Sequence, residues 1–356
     1  MEVPPLHPGP ASRELLLLQG NHRSSYIWDG QCLSHTFCPR RIDDRWEFIR
    51  DHPLHPRIVR RLQDTSFYRI IEITHLQFDW SLITTMIERW QSETHMFHLP
   101  IGEATITLED VEVLFGLPID GLPVAYPHAL RNYRGVHYLH MLQRITCFQP
   151  AEETALSGTS RLQLTPVRQH LAVMDAEITD NSPAKDIDRH TRLLLLLMLG
   201  GVLFPNTSRN LVSLIFLHHL EWLDGLPGYS WGVAVLVPAT STTEGCDAPP
   251  PLFLPFAWRW VDRRGYGREF KARPHLPYYR DLLDLHEGAQ RPYNDALIAG
   301  LPDYCSYGRA MWSSSVLLIW LNIVEHHAIE LVLRQFGRPQ LVPIPPTWFK
   351  DTLPAG

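Results

Sequence analysis

The chain has 356 residues, with 32 lysines and arginines against 38 acidic residues, for a formal net charge of -6. This balance argues against a globally basic nucleic-acid binder, because counterion release by cationic side chains drives non-specific DNA binding. Hydrophobic residues make up 45% of the chain and charged residues 20%, which excludes a disordered polyelectrolyte and predicts a globular protein with a sizeable core.

Cysteine usage and hydropathy bear on the compartment. The 5 cysteines are scattered and odd in number, which is typical of a reducing compartment rather than a disulfide framework. The N-terminus has no basic segment followed by an apolar core, so no secretory signal is expected. The longest apolar run, residues 193–204, is 12 residues long, whereas a bilayer-spanning helix needs about 20. We therefore expect an intracellular protein that has no membrane partner.

The N-terminal part of the chain changes character near residue 50. Residues 1–50 carry scattered prolines without clear periodicity and are expected to form an irregular arm packed on the domain. A short amphipathic helix is predicted over residues 56–63. Apolar residues spaced by three and four predict a second helix over residues 80–90, with Asp79 placed to cap it.

The clearest local pattern follows at residues 96–107, where two short extended runs flank Pro-Ile-Gly and predict a β-hairpin. Thr107 then begins Thr-Leu-Glu-Asp, which resembles a capping box with Asp110 in the usual Glu position. The helix that it starts is expected to bury Val111, Leu114 and Phe115 and to end at Gly-Leu-Pro, residues 116–118.

The remaining elements complete a mainly α fold, a multi-helix globular domain with a small β-hairpin near residues 96–107. Residues 193–199 are apolar on all sides, so this helix is expected to lie at the centre of the core. The other predicted elements are helices over 166–174 and 210–223, a Pro/Thr-rich loop at 238–255, a long helix from 311 to 336, and a disordered tail at 346–356.

Several histidines and cysteines are candidate metal ligands. Cys32, His35 and Cys38 lie close together, but a structural zinc site needs four ligands and no second cluster follows, so ordinary loop residues are favoured. In the doublets at 218–219 and 326–327, adjacent helical residues point about 100° apart and cannot chelate one ion. One histidine of each doublet is expected to pack and the other to face water. The pair at 137 and 140 shares a helix face but has no further ligand at suitable spacing, so no metal is predicted.

Carboxylates near His98 raise the question of acid–base chemistry. They are Glu103, Glu109, Asp110 and Glu112. An acid–base pair needs one desolvated member, whereas acids in the first turn of a helix already complement its dipole, so capping is favoured. The chain has no phosphate loop, nucleophile elbow or zinc-protease helix, and its Gly-Asn-His-Arg at 20–23 lacks the other metallophosphatase blocks. No catalytic residue and no cofactor are predicted.

Tryptophans and arginines are the remaining candidates for binding. The expected role of the tryptophans is core packing, with a partner groove second, at Trp80, Trp90, Trp222, Trp231, Trp258, Trp260, Trp312 and Trp320. The one basic concentration lies within residues 258–273, where aromatic residues interrupt the arginines. Its candidate nucleic-acid or partner contacts are Arg259, Trp260, Arg263, Arg264 and Arg268. A solvated face paired with the protein's own carboxylates is the favoured alternative.

A set of short blocks in a fixed order carries a family resemblance. The blocks lie at residues 7–10, 22–24, 27–30, 97–100, 102–111, 116–121, 200–205, 229–232, 301–304 and 334–337. In this pattern the sequence resembles the plant mobile domain family, also called aminotransferase-like. The resemblance implies a plant nuclear protein with a single helical domain over residues 51–345, of a type also found in transposable elements.

The resemblance also implies a class of function. Studied members act in transposon silencing, gene expression, genome integrity and meristem maintenance, and no catalytic residues are established for them. Nuclear protein partners are implied, among them a phosphatase-7-like protein. We therefore expect a non-catalytic nuclear interaction module rather than an enzyme. The alternatives are a transposon-derived nucleic-acid-binding protein using residues 258–273, and an enzyme of unrecorded chemistry.

Overall fold

The computed structural model describes most of the region between residues 53 and 339. The described residues are 53–73, 79–91, 96–99, 102–150, 156–157, 160–204, 210–240, 276–284 and 291–339. Several predictions fall outside them: the arm at 1–50, the Cys32–Cys38 cluster, most of the loop at 238–255, the arginine–aromatic stretch at 258–273 and the tail at 346–356. Residues 238–240, the predicted start of that loop, instead end a helix.

Helices dominate the described residues, which confirms the mainly α fold class. In chain order they are α1 (Pro56–Gln63), α2 (Tyr68–Glu72), α3 (Trp80–Arg89), α4 (Leu108–Phe115), α5 (Gly135–Thr146), α6 (Leu164–Glu177), α7 (Ala184–Met198), α8 (Leu217–Leu220), α9 (Trp231–Thr240), α10 (Leu276–Asp284) and α11 (Asp295–Ala299). No helix in this part of the chain is long and apolar enough to cross a membrane.

Short strands form three small sheets of three strands each within the described residues. The strands are β1 (Trp90–Gln91), β2 (Met96–Leu99), β3 (Gly102–Ala104), β4 (Val124–Ala125), β5 (Leu156–Ser157), β6 (Arg161–Gln163), β7 (Leu211–Ser213), β8 (Val316–Leu321) and β9 (Ile323–His327). The sheets are β1-β2-β3, β4-β8-β9 and β5-β6-β7. Strands β2 and β3 pair antiparallel with Leu99 opposite Gly102, which confirms the predicted hairpin.

The predicted helix starts are confirmed where capping chemistry is local. Asp79 accepts hydrogen bonds from the backbone N–H groups of Ser81 and Leu82 at the start of α3. Thr107 and Asp110 form a complete capping box at the start of α4. That helix ends at Gly116 with φ of 63°, and a Cβ there would come within 2.6 Å of Tyr304, so the predicted stop also permits close packing.

The core is centred on α7, as the all-apolar sequence predicts. Leucines 193–197 are buried, and a wide helical turn at Leu199–Leu203 continues the helix. A Cβ on Gly200 would lie 2.4 Å from the Cβ of Val212, so glycine lets β7 approach the helix end closely. One continuous hydrophobic cluster extends from Ile58 in α1 to Leu318 in β8.

The prediction of a long helix over 311–336 is wrong. Residues 316–327 form the β8–β9 hairpin, and short 3₁₀ turns follow at Ile329–Leu331 and Leu333–Phe336. The run Val-Leu-Leu-Ile-Trp-Leu is rich in residues that favour strands, although its apolar spacing also fits a helix. Strand β8 pairs antiparallel with the neighbouring β9, with Val316 opposite His327, and parallel with the distant β4, with Trp320 opposite Val124.

The helix predicted over 210–223 is only partly present. Its first residues form β7, which pairs antiparallel with β6 through Leu162 and Val212. A 3₁₀ turn at Leu214–Phe216 then leads into α8, and a further 3₁₀ helix spans Leu223–Gly228. The helix predicted over 166–174 is confirmed as the longer α6.

Candidate functional site

Helix α4 carries three buried carboxylates, Glu109, Asp110 and Glu112. Burying a carboxylate is costly unless hydrogen bonds or opposite charges replace its hydration. Perturbed acids in a protein interior are also candidates for functional groups. The partners of these three side chains therefore decide what the helix does.

Asp110 is held by both local and distant groups. The backbone N–H and the hydroxyl of Thr107 donate to Asp110 Oδ2 at 2.7 and 2.8 Å. The hydroxyl of Tyr293 donates to Asp110 Oδ1 at 2.9 Å. Burial raises the pKa of Asp110 to about 6, although the bonds from Thr107 and Tyr293 oppose that rise. The predicted capping role is confirmed, and the contact with Tyr293 adds a tie across the fold.

Glu112 is bound by a backbone and a side-chain donor from the same distant segment. The backbone N–H of Gly308 donates to Glu112 Oε1 at 2.6 Å, and the indole N–H of Trp312 donates to Glu112 Oε2 at 2.5 Å. Burial raises the pKa of Glu112 while these two bonds oppose it. A Cβ on Gly308 would lie 2.4 Å from Ile119 Cγ1, so glycine allows this contact to form.

Glu109 is the least satisfied of the three acids. Its Oε1 lies 3.6 Å from Arg291 Nη2 and has no hydrogen-bond partner among the described residues. Burial and the nearby Asp110 raise the pKa of Glu109 to about 7. A group with that pKa can exchange a proton at neutral pH, as a general acid or base must. Only 2% of the Glu109 side chain is exposed, however, so a substrate has little access to it.

The three acids together fasten residues 291–312 to α4. Arg291, Tyr293, Gly308 and Trp312 all reach the helix from this one segment. The sequence suggests capping at Glu109 and Asp110 but gives no signal for the ties at Glu112, because the partners lie 196 and 200 residues away. Of the four acids expected near His98, Glu103 lies opposite it in the hairpin, with its Oε1 3.8 Å from His98 Nε2, and burial lowers the pKa of His98.

The histidine doublets behave in part as predicted. His219 and His327 are buried, and burial lowers the pKa of each to about 4, so both are neutral at pH 7. The rings of Tyr229 and Trp231 lie 5.1 and 5.6 Å from that of His219. Their neighbours at 218 and 326 are half-buried rather than fully in water. Within the described ranges, no group of three His, Cys, Asp or Glu side chains could hold a metal ion.

The tryptophans are mostly in the core, with one clear exception. Trp90, Trp231 and Trp312 are buried, and Trp80 and Trp320 are half-buried. The expectation of core packing is wrong for Trp222, because 70% of its surface is exposed. Hydrogen bonds to the carbonyl groups of Leu220, Glu221 and Trp222 fix the backbone around this exposed residue. Trp258 and the predicted contacts Arg259, Trp260, Arg263, Arg264 and Arg268 lie outside the described residues and stay a prediction.

Comparison with known proteins adds the family context. Residues 66–239 match the family model described as Plant mobile domain. Among Arabidopsis thaliana proteins, the chain is 30% identical to "Serine/threonine-protein phosphatase 7 long form homolog", covering 96% of this chain and 27% of that protein. It is 26% identical to "Protein MAIN-LIKE 2", covering 95% and 53%, and 27% identical to "Protein MAINTENANCE OF MERISTEMS", covering 93% and 72%.

The chain thus spans about a quarter of the first of these relatives and about half of the second. No solved structure matches the chain.

Proposed function

The chain belongs to the plant mobile domain family, and from that premise we propose that it is a non-catalytic interaction module of a nuclear complex. The proposed complex acts in transcription regulation and transposon silencing and serves meristem maintenance. The last of these roles takes its support from the name of one relative, "Protein MAINTENANCE OF MERISTEMS". A phosphatase-7-like protein is a proposed partner within that complex.

The observation that carries the non-catalytic part of the proposal is the use made of the α4 acids. Asp110 and Glu112 receive hydrogen bonds from Tyr293, Gly308 and Trp312, which are groups of the fold itself. A catalytic acid has to present its proton to a substrate, but these carboxylates are already occupied in the interior. Their arrangement supports a rigid scaffold whose work is done at its surface.

The word phosphatase in the name of one relative describes that protein, of which this chain covers 27%. Two-metal phosphoester chemistry needs several Asp, His and Asn ligands around the metals. The sequence lacks the further metallophosphatase blocks beyond Gly-Asn-His-Arg at residues 20–23. Phosphatase activity is therefore not part of the proposal.

A tethering assay in plant cells tests the regulatory role. The chain is fused to a heterologous DNA-binding domain and directed to a reporter gene, with the DNA-binding domain alone as the control. The proposal expects a lower reporter transcript level with the fusion and nuclear accumulation of a fluorescently tagged chain. An unchanged transcript level from a stable, nuclear fusion contradicts the regulatory role, and exclusion from the nucleus contradicts the localisation.

A turnover assay tests the non-catalytic role. Purified full-length chain is incubated with p-nitrophenyl phosphate in the presence of Mg²⁺, Mn²⁺ or Zn²⁺, and product formation is expected to stay at the level of buffer. Turnover above the level of buffer would overturn the proposal, and its loss in a Glu109→Gln variant with unchanged secondary structure would assign the chemistry to that acid, whose pKa is about 7.

The alternative function is nucleic-acid binding through the arginine–aromatic stretch at 258–273. Interleaved arginines and aromatics can pair with phosphates and stack on bases. This alternative expects DNA binding whose salt dependence is weakened by the double change Arg263→Glu and Arg264→Glu. The matched control is Arg60→Glu with Arg131→Glu, an equal charge change at two exposed arginines. Equal effects of both double variants would contradict a local site.

A further inference from the structure

The backbone on both sides of the exposed Trp222 is fixed by hydrogen bonds. Arg192 donates to the carbonyl of Leu220 at 2.9 Å and to that of Glu221 at 3.2 Å. The backbone N–H of Gly225 donates to the Trp222 carbonyl at 3.2 Å. Because the backbone is fixed on both sides of Trp222, binding of a partner to the indole ring loses little free energy to ordering of this segment.

The indole ring of Trp222 lies over a glycine. A Cβ at Gly225 would come within 2.7 Å of the ring carbon Cε3, so any larger residue would displace the ring. Residues three apart lie on one side of a 3₁₀ helix, which places Gly228 next along the line from Gly225. The backbone N–H of Leu122 donates to the Gly228 carbonyl at 2.8 Å, and Leu122 is 62% exposed. We call Trp222, Gly225, Gly228 and Leu122 the tryptophan strip.

Acidic side chains border the strip. Glu221 is 41% exposed and Asp224 is 66% exposed, one on each side of Trp222 in the chain. Arg144 pairs with Glu221 Oε1 and Arg61 pairs with Asp224 Oδ1, each at 2.6 Å. The hydrogen bond from Arg144 lowers the pKa of Glu221, so this carboxylate is charged at neutral pH. Asp120, next to the turn that leads to Leu122, is also exposed.

These groups match one kind of ligand. An indole face attracts a cation, and arginine combines stacking on an aromatic ring with hydrogen bonds to a carboxylate. Glu221 Oε1 and Asp224 Oδ1 each pair with an arginine of the fold, and since a carboxylate can accept from two guanidinium groups, an arginine of a partner can share these acids. Exposed, preorganised tryptophan is also a residue type that dominates binding energy at interfaces.

We propose that the tryptophan strip docks a basic segment of a partner protein, with an arginine of that segment stacked on Trp222 and paired with Glu221 or Asp224. This inference rests on the proposed function as an interaction module and names the chemistry of the partner. The docked arginine competes with Arg144 for the Glu221 carboxylate. Variants of these two residues therefore measure the contribution of charge to binding separately from that of the indole ring.

The test measures binding of a fluorescein-labelled peptide of alternating arginine and glycine to the full chain by fluorescence anisotropy. Trp222→Ala is expected to weaken binding about tenfold. The matched control Tyr278→Ala removes another exposed aromatic side chain, on α10, and is expected to leave the affinity unchanged. Absence of peptide binding by the unchanged chain, or equal affinity of the Trp222→Ala variant, would overturn the proposal.

A charge pair sharpens the test, because its two members should act in opposite directions. Glu221→Gln removes an acceptor and is expected to weaken binding about threefold. Arg144→Ala removes the competing cation and is expected to tighten binding by a similar factor. A purely structural role of the pair would move both variants the same way, and that result contradicts the proposal.

Two further outcomes are separable. A homodimer of the unchanged chain that Trp222→Ala converts to a monomer, measured by light scattering, would assign the strip to a second copy and overturn the basic-segment proposal. Repression in the tethering assay that persists in the Trp222→Ala fusion, combined with absent peptide binding, overturns this inference alone. Peptide binding without repression overturns the regulatory role and leaves the docking site in place.

Discussion

Helix α4 and the tryptophan strip use similar groups in opposite settings. In α4, acids lie in the interior, where Glu112 receives donors from Gly308 and Trp312. At the strip, Glu221 and the indole of Trp222 lie at the surface, where only part of the carboxylate is used by the fold. Both oxygens of Asp110 and of Glu112 accept hydrogen bonds from the fold, and the Glu109 side chain is only 2% exposed, whereas Glu221 and Asp224 are open to solvent although each pairs with one arginine. The difference separates groups that build the scaffold from groups that are available to a partner.

The comparison is tested most strongly at Glu112. Glu112→Ala is expected to lower the free energy of unfolding by about 3 kcal/mol, because it leaves two buried donors unsatisfied and opens a cavity. The surface counterpart Glu221→Ala should cost less than about 1 kcal/mol, since its pair with Arg144 is solvent-exposed. Urea denaturation of both variants measures the difference. Equal midpoints would remove the distinction between the two regions.

Glycines offer the next test. Gly308→Ala is expected to destabilise the protein by about 2 kcal/mol, because its Cβ would meet Ile119 at 2.4 Å in a packed interior. Gly228→Ala, in the strip, places its Cβ where no atom lies within 4 Å and should change stability by less than about 0.5 kcal/mol. Thermal unfolding followed by circular dichroism reports both. A larger cost at Gly228 would contradict the assignment of an open surface.

Glu109 provides a pH-dependent test of the interior. Its carboxyl has a pKa of about 7 in the folded protein and about 4.5 when unfolded, so the folded state binds the proton more tightly. The contribution of Glu109 to the free energy of unfolding is therefore fully present below pH 4.5 and is lost as the pH rises through 7. Glu109→Gln should remove that loss, and at pH 8 it should be more stable than the unchanged chain by an amount that the shift limits to about 3 kcal/mol.

The measurement for Glu109 is a urea titration at several pH values between 5 and 8. The gap in the free energy of unfolding between Glu109→Gln and the unchanged chain should shift in favour of the variant across that interval. A gap that stays constant with pH would show that Glu109 does not take up a proton in the folded state.

The smallest expected effect is that of Trp222→Ala on stability. Because the ring is 70% exposed, its removal should change the free energy of unfolding by less than about 0.5 kcal/mol. The melting temperature is expected to move by less than about 2 °C. A fall of several degrees would mean that the ring stabilises the fold. The strip would then be part of the scaffold, as α4 is, and not a surface reserved for a partner.

The sequence predicts those parts of the fold whose causes are local. The hairpin at 96–104 follows from a change in period around a turn, and the start of α4 follows from Thr107 and Asp110 three residues apart. The central position of α7 follows from its all-apolar composition. In each case the residues that decide the structure are neighbours in the chain.

The failures have the opposite cause. The sequence predicts a helix where the β8–β9 hairpin lies, because the apolar spacing fits both structures, and part of the strand pairing, that of Trp320 with Val124, joins residues far apart in sequence. The hydrogen bonds that Gly308 and Trp312 donate to Glu112 likewise join residues that are far apart in sequence. Arg192 and Gly225 fix the backbone around the exposed Trp222 by hydrogen bonds that hydropathy does not record. The predicted arginine contacts at 258–273 lie outside the described residues, so that site stays a prediction.

The attachment of residues 291–312 to α4 bears on how this protein is divided for expression. The match to the family model ends at residue 239, yet hydrogen-bond donors for Asp110 and Glu112 come from Tyr293, Gly308 and Trp312. A recombinant fragment that ends with the matched region would expose the face of α4 that this segment covers. We expect such a fragment to aggregate. Soluble material for crystallisation should therefore extend past Trp312.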